Sequence, residues 1–133
     1  MSVMVDSCVF LDLFTRDPKW FDWSSRAVVQ AANEGTIILN PVIYAEISIR
    51  FERIEDLERL LPADVFEYRP IPREAAFLAG KCFLEYRRRG GGKSLPLPDF
   101  FIGAHAAVAK LDLVTRDTKR FGDYFPSVKL ICP

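Results

Sequence analysis

The chain has 133 residues, half of them hydrophobic, and its 18 Lys and Arg balance its 18 Asp and Glu. This length suits one domain, residues 1–133, with a hydrophobic core. The neutral net charge does not indicate a strongly basic nucleic-acid-binding protein, so any nucleic-acid binding must depend on a local patch or on metal. We expect a cytoplasmic protein without a membrane span, because no apolar run reaches transmembrane length, no signal sequence is evident, and the cysteines Cys8, Cys82 and Cys132 are too scattered to suggest disulfides.

The first half of the chain alternates short apolar strands with helical patterns. Asp17 followed by Pro18 suits the start of a helix, Gly35 suits its end, and Asn40 opens the next helix. The predicted elements are a strand at 2–5, helices from residue 7 to 14 and at 18–33, a strand at 36–39, helices at 42–50 and 53–61, and a strand at 65–68.

The second half begins with a long helix that Pro72 opens. It ends in a basic, glycine-rich segment, residues 87–93, which either complements the helix dipole or binds the phosphates of a nucleic acid. A helix rich in small residues then starts at Asp99, behind Pro98, and runs to Ala109. Strands are predicted at 111–115 and 128–132.

Alternating short strands and helices predict an α/β fold, in which helices cover both faces of a parallel sheet. Ligands of such sheets bind beyond the carboxyl ends of the strands. Asp6 and Asp117 follow predicted strands, and Asp99 is expected to cap a helix that starts on the same side. Glu46 lies in a nearly apolar helix, where a buried carboxylate is costly unless it is paired or bound to metal.

Each of these acids also has a structural explanation when it is taken alone. Asp6, Asp99 and Asp117 each precede a helical segment, and aspartate is a common helix cap. Glu46 has Arg50 one turn away as a possible ion-pair partner. Only the four acids together, on one rim, favour a functional site, where a divalent metal would relieve their mutual repulsion.

Four motifs carry a resemblance to a known family: VDSCVFLDLF at the start, YAE at Glu46, LPDFFIGAHA at Asp99 and LVTRDTKRF at Asp117. Over its whole length the chain resembles the PIN-domain ribonucleases, specifically the VapC-type toxins of toxin–antitoxin pairs. The resemblance implies a three-layer PIN-like fold with a central parallel sheet. Members often carry Asn where this chain has Cys8, so we expect a hydrogen bond to be missing there.

The resemblance implies a metal-dependent endoribonuclease that leaves a 5′-phosphate and a 3′-hydroxyl. Asp6, Glu46, Asp99 and Asp117 would hold one or two Mg²⁺ or Mn²⁺ ions. Ser7 and Thr115 would orient a water or a carboxylate, although capping or packing explains them as well, and Arg116 and Lys119 would contact the RNA backbone.

The resemblance also implies partners. A VapB-type antitoxin is expected to place a tail arginine in the acidic site and apolar tail residues along the helices at 18–33 and 53–61. A homodimer is expected as well.

Other polar residues and other function classes carry less weight. His105 is interpreted as a hydrogen-bonded or partly exposed helix residue, and Asp12, Asp112 and Asp123 as surface charges or caps. A PIN-like module that binds RNA or protein without cutting is one alternative. A receiver domain or a haloacid-dehalogenase-type phosphatase is another, although Cys8 stands where the phosphatases need a second aspartate.

Overall fold

Five short parallel strands form the centre of the computed structural model, which describes residues 2–90 and 97–133. The strands are β1 (Val3–Val5), β2 (Ile37–Leu39), β3 (Phe66–Tyr68), β4 (Asp112–Val114) and β5 (Leu130–Ile131). They pair in the order β3-β2-β1-β4-β5, and every pair is parallel. The predicted parallel sheet is confirmed, with β1 at its centre.

Helices cover both faces of this sheet. Every residue of β1 and β2 is buried, and because successive side chains of a strand point to opposite faces, both faces must be covered. The helices are α1 (Ser7–Thr15), α2 (Phe21–Glu34), α3 (Pro41–Ser48), α4 (Ile54–Glu58), α5 (Arg73–Arg88), α6 (Leu97–Ala109) and α7 (Thr118–Tyr124). The α/β three-layer fold is therefore confirmed.

Several helix boundaries differ from those predicted. Asp17 Oδ1 accepts hydrogen bonds from the backbone N–H groups of Lys19 and Trp20, both at 2.9 Å, which form a turn and delay the start of α2 to Phe21. Asp99 does not cap its helix, because α6 already begins at Leu97 and Asp99 lies in its first turn. The prediction of a cap at Asp99 is therefore wrong.

The register of the central strands positions the ends of β1 and β4 side by side. Val5 pairs with Val114, and the backbone N–H of Asp6 donates to the carbonyl of Val114 at 2.9 Å. The residue after each strand, Asp6 and Thr115 respectively, therefore lies at the same edge of the sheet. This edge is the carboxyl edge, where parallel α/β sheets bind their ligands.

The small residues of α6 let it pack closely against the C-terminal part of the chain. A Cβ atom at Gly103 would overlap the ring of Phe125, which is itself buried. Only glycine fits this contact without displacing the ring.

The predicted basic segment is described only in part. Arg87 and Arg88 lie in the last turn of α5, where cations complement the helix dipole. Arg89 pairs with Glu85 at 3.0 Å, while Gly91, Gly92 and Lys93 lie outside the described residues. Across residues 2–90 and 97–133, no helix is long and apolar enough to cross a membrane.

Candidate active site

Asp6 is the most enclosed acid at the carboxyl edge of the sheet. It caps α1 by accepting from the Ser7 backbone N–H at 2.8 Å, and it accepts from Thr115 Oγ1 at 2.7 Å. Cys8 Sγ also donates to Asp6, at 3.4 Å, so the thiol supplies a weak hydrogen bond where we expected none. Burial raises the pKa of Asp6 despite these hydrogen bonds, and the negative charge of Asp117 raises it further.

Glu46 approaches the same edge from α3. Its Oε1 accepts from the Ser7 hydroxyl at 2.9 Å. No ion pair joins it to Arg50, although the structure describes both residues. Burial raises the pKa of Glu46, and the charges of Asp99 and Asp6 add to this shift. Ser7 therefore links two of the predicted acids, through its backbone to Asp6 and through its side chain to Glu46.

Asp99 and Asp117 share a cation that sequence reasoning missed. Arg120 Nη1 donates to Asp99 Oδ2 at 2.5 Å, and Arg120 Nε lies 3.3 Å from Asp117 Oδ2. Asp117 caps α7 by accepting from the backbone N–H of Arg120 at 3.2 Å. The sequence offered one signal for the pair of Asp117 and Arg120: a spacing of three residues at the start of a helix brings the two side chains to one face.

The four predicted acids interact electrostatically with one another. Burial raises the pKa of Asp99, the guanidinium of Arg120 lowers it, and the charges of Asp6 and Asp117 raise it again. The hydrogen bonds agree with this proximity: Ser7 joins Asp6 to Glu46, and Arg120 joins Asp99 to Asp117. Thr115 connects the two pairs, because its hydroxyl donates to Asp6 and accepts from the Asp117 backbone N–H at 3.0 Å, so the fold brings all four carboxylates to one edge. Their roles as catalytic and metal-binding residues stay a prediction.

The donor set suits a hard divalent cation, but its present arrangement is not a finished cage. Carboxylate and hydroxyl oxygens are the ligands that Mg²⁺ and Mn²⁺ prefer. Within residues 2–90 and 97–133, however, no three His, Cys, Asp or Glu side chains stand ready to hold an ion. Arg120 pairs with Asp99 and Asp117, so these two acids would have to be released before they could serve as ligands.

Arg116, predicted to contact substrate, is already engaged in an ion pair. Its Nε and Nη2 donate to the two carboxylate oxygens of Asp12 at 2.7 and 2.9 Å, and its guanidinium lies 5.0 Å from the ring centroid of Trp20. Asp12 is buried and also accepts from Ser24 Oγ at 2.7 Å. The prediction of Asp12 as a surface charge or cap is therefore wrong: it anchors Arg116.

Lys119 is exposed and stands beside the acids. With Arg116, Asp117, Cys8 and Thr118 it lines an open cavity of about 380 Å³. A cation in this position is accessible to a phosphate, and the contact of Lys119 with substrate stays a prediction.

His105 is buried in α6 and is tied to Asn40, the cap of α3. Asn40 Oδ1 accepts from the backbone N–H of Ile43 at 2.9 Å, which turns its amide nitrogen towards His105 Nδ1 at 3.2 Å. An amide nitrogen only donates, so Nδ1 accepts and the ring is neutral. Burial lowers the pKa of His105, consistent with that state. The prediction of a hydrogen-bonded helix residue is confirmed.

A larger cavity, about 450 Å³, is predominantly apolar, and none of the four acids lines it. Its lining comes from β2, α3, α4, β3 and the segment between α4 and β3, and it includes Tyr44, Ile54, Leu61 and Tyr68. Ile54 and Tyr68 are exposed hydrophobic residues, 63% and 56% accessible. Such a concave apolar surface suits a peptide or protein more than a phosphate.

Comparisons with known proteins agree with the fold described above. A family model of the PIN domain matches residues 3–124. The fold is similar to VapBC2 from Rickettsia felis bound to a DNA fragment from its promoter (TM-score 0.76, 19% identity, 100% of this chain and 99% of that chain).

Two further solved structures share the fold. One is VapBC-1 from nontypeable Haemophilus influenzae (TM-score 0.74, 18% identity, 99% of this chain and 98% of that chain). The other is a toxin–antitoxin complex from Klebsiella pneumoniae (TM-score 0.70, 19% identity, 98% of this chain and 97% of that chain). A search of curated proteins found no matching relative.

Proposed function

Because the chain belongs to the PIN-domain family, we propose that it is a metal-dependent endoribonuclease, the VapC-type toxin of a toxin–antitoxin pair. The observation that carries the proposal is the convergence of Asp6, Glu46, Asp99 and Asp117 at the carboxyl edge of the sheet. Membership of this family replaces the receiver-domain and phosphatase interpretations.

The surrounding residues hold two of the carboxylates in defined orientations. Thr115 and the Ser7 backbone fix the two oxygens of Asp6, and the Ser7 hydroxyl fixes one oxygen of Glu46. One or two bound Mg²⁺ or Mn²⁺ ions would lower the pKa of a water and neutralise charge on the scissile phosphate. Lys119, exposed beside Asp117, is the cation best positioned to meet the RNA backbone.

An RNA cleavage assay with purified protein tests the proposal. Wild type should cut RNA in Mg²⁺ or Mn²⁺, leave 5′-phosphate ends and lose activity in EDTA. Asp6→Asn should lower cleavage by at least about 100-fold at unchanged secondary structure, because it removes one of the few groups that hold the ion. Asp123→Asn is the matched control: it removes the same charge from an exposed position on α7 and should cut normally. Equal cleavage by the Asp6 variant would refute the assignment.

A non-catalytic module that binds RNA or protein is the second candidate. One observation favours it: Arg120 already neutralises part of the charge of Asp99 and Asp117, as a protein that uses no metal would require. Tight RNA binding with no cleavage in Mg²⁺, Mn²⁺ or other divalent ions would select this function.

The large apolar cavity supports a protein partner, which we propose is a VapB-type antitoxin with an apolar tail that ends near the acids in an arginine. The cavity includes Ile54 and Leu61, which lie in one of the two segments that the sequence predicts to contact the tail, residues 53–61. The other segment, residues 18–33, contributes no residue to the lining. Co-expression with a small protein encoded next to this gene should abolish RNA cleavage, and Ile54→Asp should weaken the complex.

We also propose that the chain forms a homodimer, as the family resemblance implies. Light scattering of the isolated chain tests this.

A further inference from the structure

Arg120 is the only described cation in ion-pair contact with any of the four acids. We propose that Arg120 is an internal counter-ion, which balances Asp99 and Asp117 in the metal-free protein and is displaced from them when a divalent cation binds. The inference rests on the proposed function, because it takes these two acids as metal ligands.

The contacts of Arg120 are those of an incomplete ion pair. One nitrogen donates to Asp99 at 2.5 Å. Nε lies 3.3 Å from Asp117 and is buried, but among residues 2–90 and 97–133 it has no hydrogen-bond partner. Arg116 shows what a complete pair looks like, with two hydrogen bonds of 2.7 and 2.9 Å to one carboxylate. A buried N–H without an acceptor is costly, so this missing hydrogen bond offsets part of the stabilisation from the contact with Asp99.

A divalent cation and Arg120 would compete for the same oxygens. Arg120 approaches Oδ2 of both Asp99 and Asp117. Mg²⁺ binds oxygen ligands at about 2.0–2.1 Å, and a divalent cation that close to a carboxylate would repel a guanidinium on the same oxygens. The cation and the Arg120 guanidinium therefore cannot bind the oxygens of Asp99 and Asp117 at the same time without weakening each other's contacts.

The fold allows the side chain to leave without unwinding its helix. Asp117 caps α7 through Oδ1 and the backbone N–H of Arg120, not through the guanidinium. The Arg120 side chain is 26% exposed, so it has a direct route to solvent. The exchange therefore requires a rotamer change and no backbone rearrangement.

Calorimetric titration of Mn²⁺ into metal-stripped protein tests the inference without using activity. Arg120→Gln should bind Mn²⁺ about tenfold more tightly than wild type, the effect of losing roughly one charge-assisted hydrogen bond of competition. Lys129→Gln is the matched control: it removes the same charge from an exposed position directly before β5, at the amino edge of the sheet, and should change the affinity by less than about twofold. In EDTA the Arg120 variant should melt below the control, and Mn²⁺ should reverse that order.

Nuclear magnetic resonance of the wild type provides a readout that depends on no variant. The Nε–H resonance of Arg120 should shift on saturation with diamagnetic Mg²⁺, while that of Arg116 should not. The inference is overturned if wild type and Arg120→Gln bind Mn²⁺ with equal affinity. It is also overturned if Mg²⁺ binds and the Arg120 resonance does not shift. Neither result contradicts the nuclease proposal. Loss of Mn²⁺ binding in a folded Arg120→Gln protein overturns the inference as well, because Arg120 would then position the acids. If no form binds Mn²⁺, even with a non-cleavable RNA, the metal site itself is wrong.

Discussion

Replacing Arg116 tests whether its guanidinium stabilises the fold through Asp12, binds substrate, or does both. In Arg116→Gln, the buried carboxylate of Asp12 keeps Ser24 as a hydrogen-bond donor but loses both of its contacts to the guanidinium. A buried charge without its partner is costly, so we expect this variant to be less stable than wild type. The same substitution also removes a cation from the rim of the candidate site.

The expected loss follows from the geometry of the pair. Two charge-assisted hydrogen bonds of 2.7 and 2.9 Å join the side chains. Each contributes about 1.5–3 kcal/mol at most. The Arg116 side chain is 27% exposed, so solvent screening reduces the sum to a net loss of about 2 kcal/mol. With an unfolding entropy of about 2.1 cal/mol/K per residue, that loss lowers Tm by about 7 °C for this chain.

A double-mutant cycle measures the coupling directly. Urea unfolding of Arg116→Gln, Asp12→Asn and the double variant should give a coupling energy of at least about 1 kcal/mol, because neither charge is left alone in the double variant. RNA cleavage by the double variant then reports on substrate: a raised KM that persists there assigns Arg116 to RNA binding as well.

Additive effects in this cycle would refute the reasoning. If each single substitution costs stability and the double variant costs their sum, the pair contributes no mutual energy. The short distances between Arg116 and Asp12 would then be a geometric coincidence without energetic weight.

Three further predictions follow from buried groups. Gly103→Ala should lower the free energy of unfolding by about 1–2 kcal/mol, because its overlap with the Phe125 ring outweighs the better helix propensity of alanine; unchanged urea stability would contradict the packing. Burial lowers the pKa of His105, so the stability that neutral His105 contributes is complete above pH 6.5, its usual pKa, and is lost as the pH falls below that value. Between pH 7 and 5 the Tm of the wild type should therefore fall more than the Tm of His105→Gln. Equal dependence of the two Tm values on pH would contradict this prediction. Burial and the charge of Asp6 raise the pKa of Cys8 to about 12, so iodoacetamide at pH 8 should modify the exposed Cys132 and spare Cys8, as peptide mass mapping can check.

The sheet and the positions of the acids could be predicted from the sequence because they depend on local patterns. Short apolar runs bounded by Asp6 and Asn40 mark strands, and the helical segments between them require a parallel sheet. The carboxyl ends of parallel strands share one edge, so an acid after one strand must lie near an acid after another. This reasoning correctly brought Asp6 and Asp117 together, and the apolar surroundings of Glu46 correctly indicated partial burial.

Only the tertiary structure decided which charged side chains form ion pairs with partners that are distant in the sequence. Arg120 pairs with Asp99 across 21 residues, Arg116 pairs with Asp12 across 104, and neither partner is marked by any local pattern. Arg116 and Arg120 are both arginines beside Asp117 in the sequence, yet one supports the core and the other contacts the candidate site. The physical reason is that an ion pair depends on the direction of long side chains and on the burial of their partners, and these exist only after distant segments have packed.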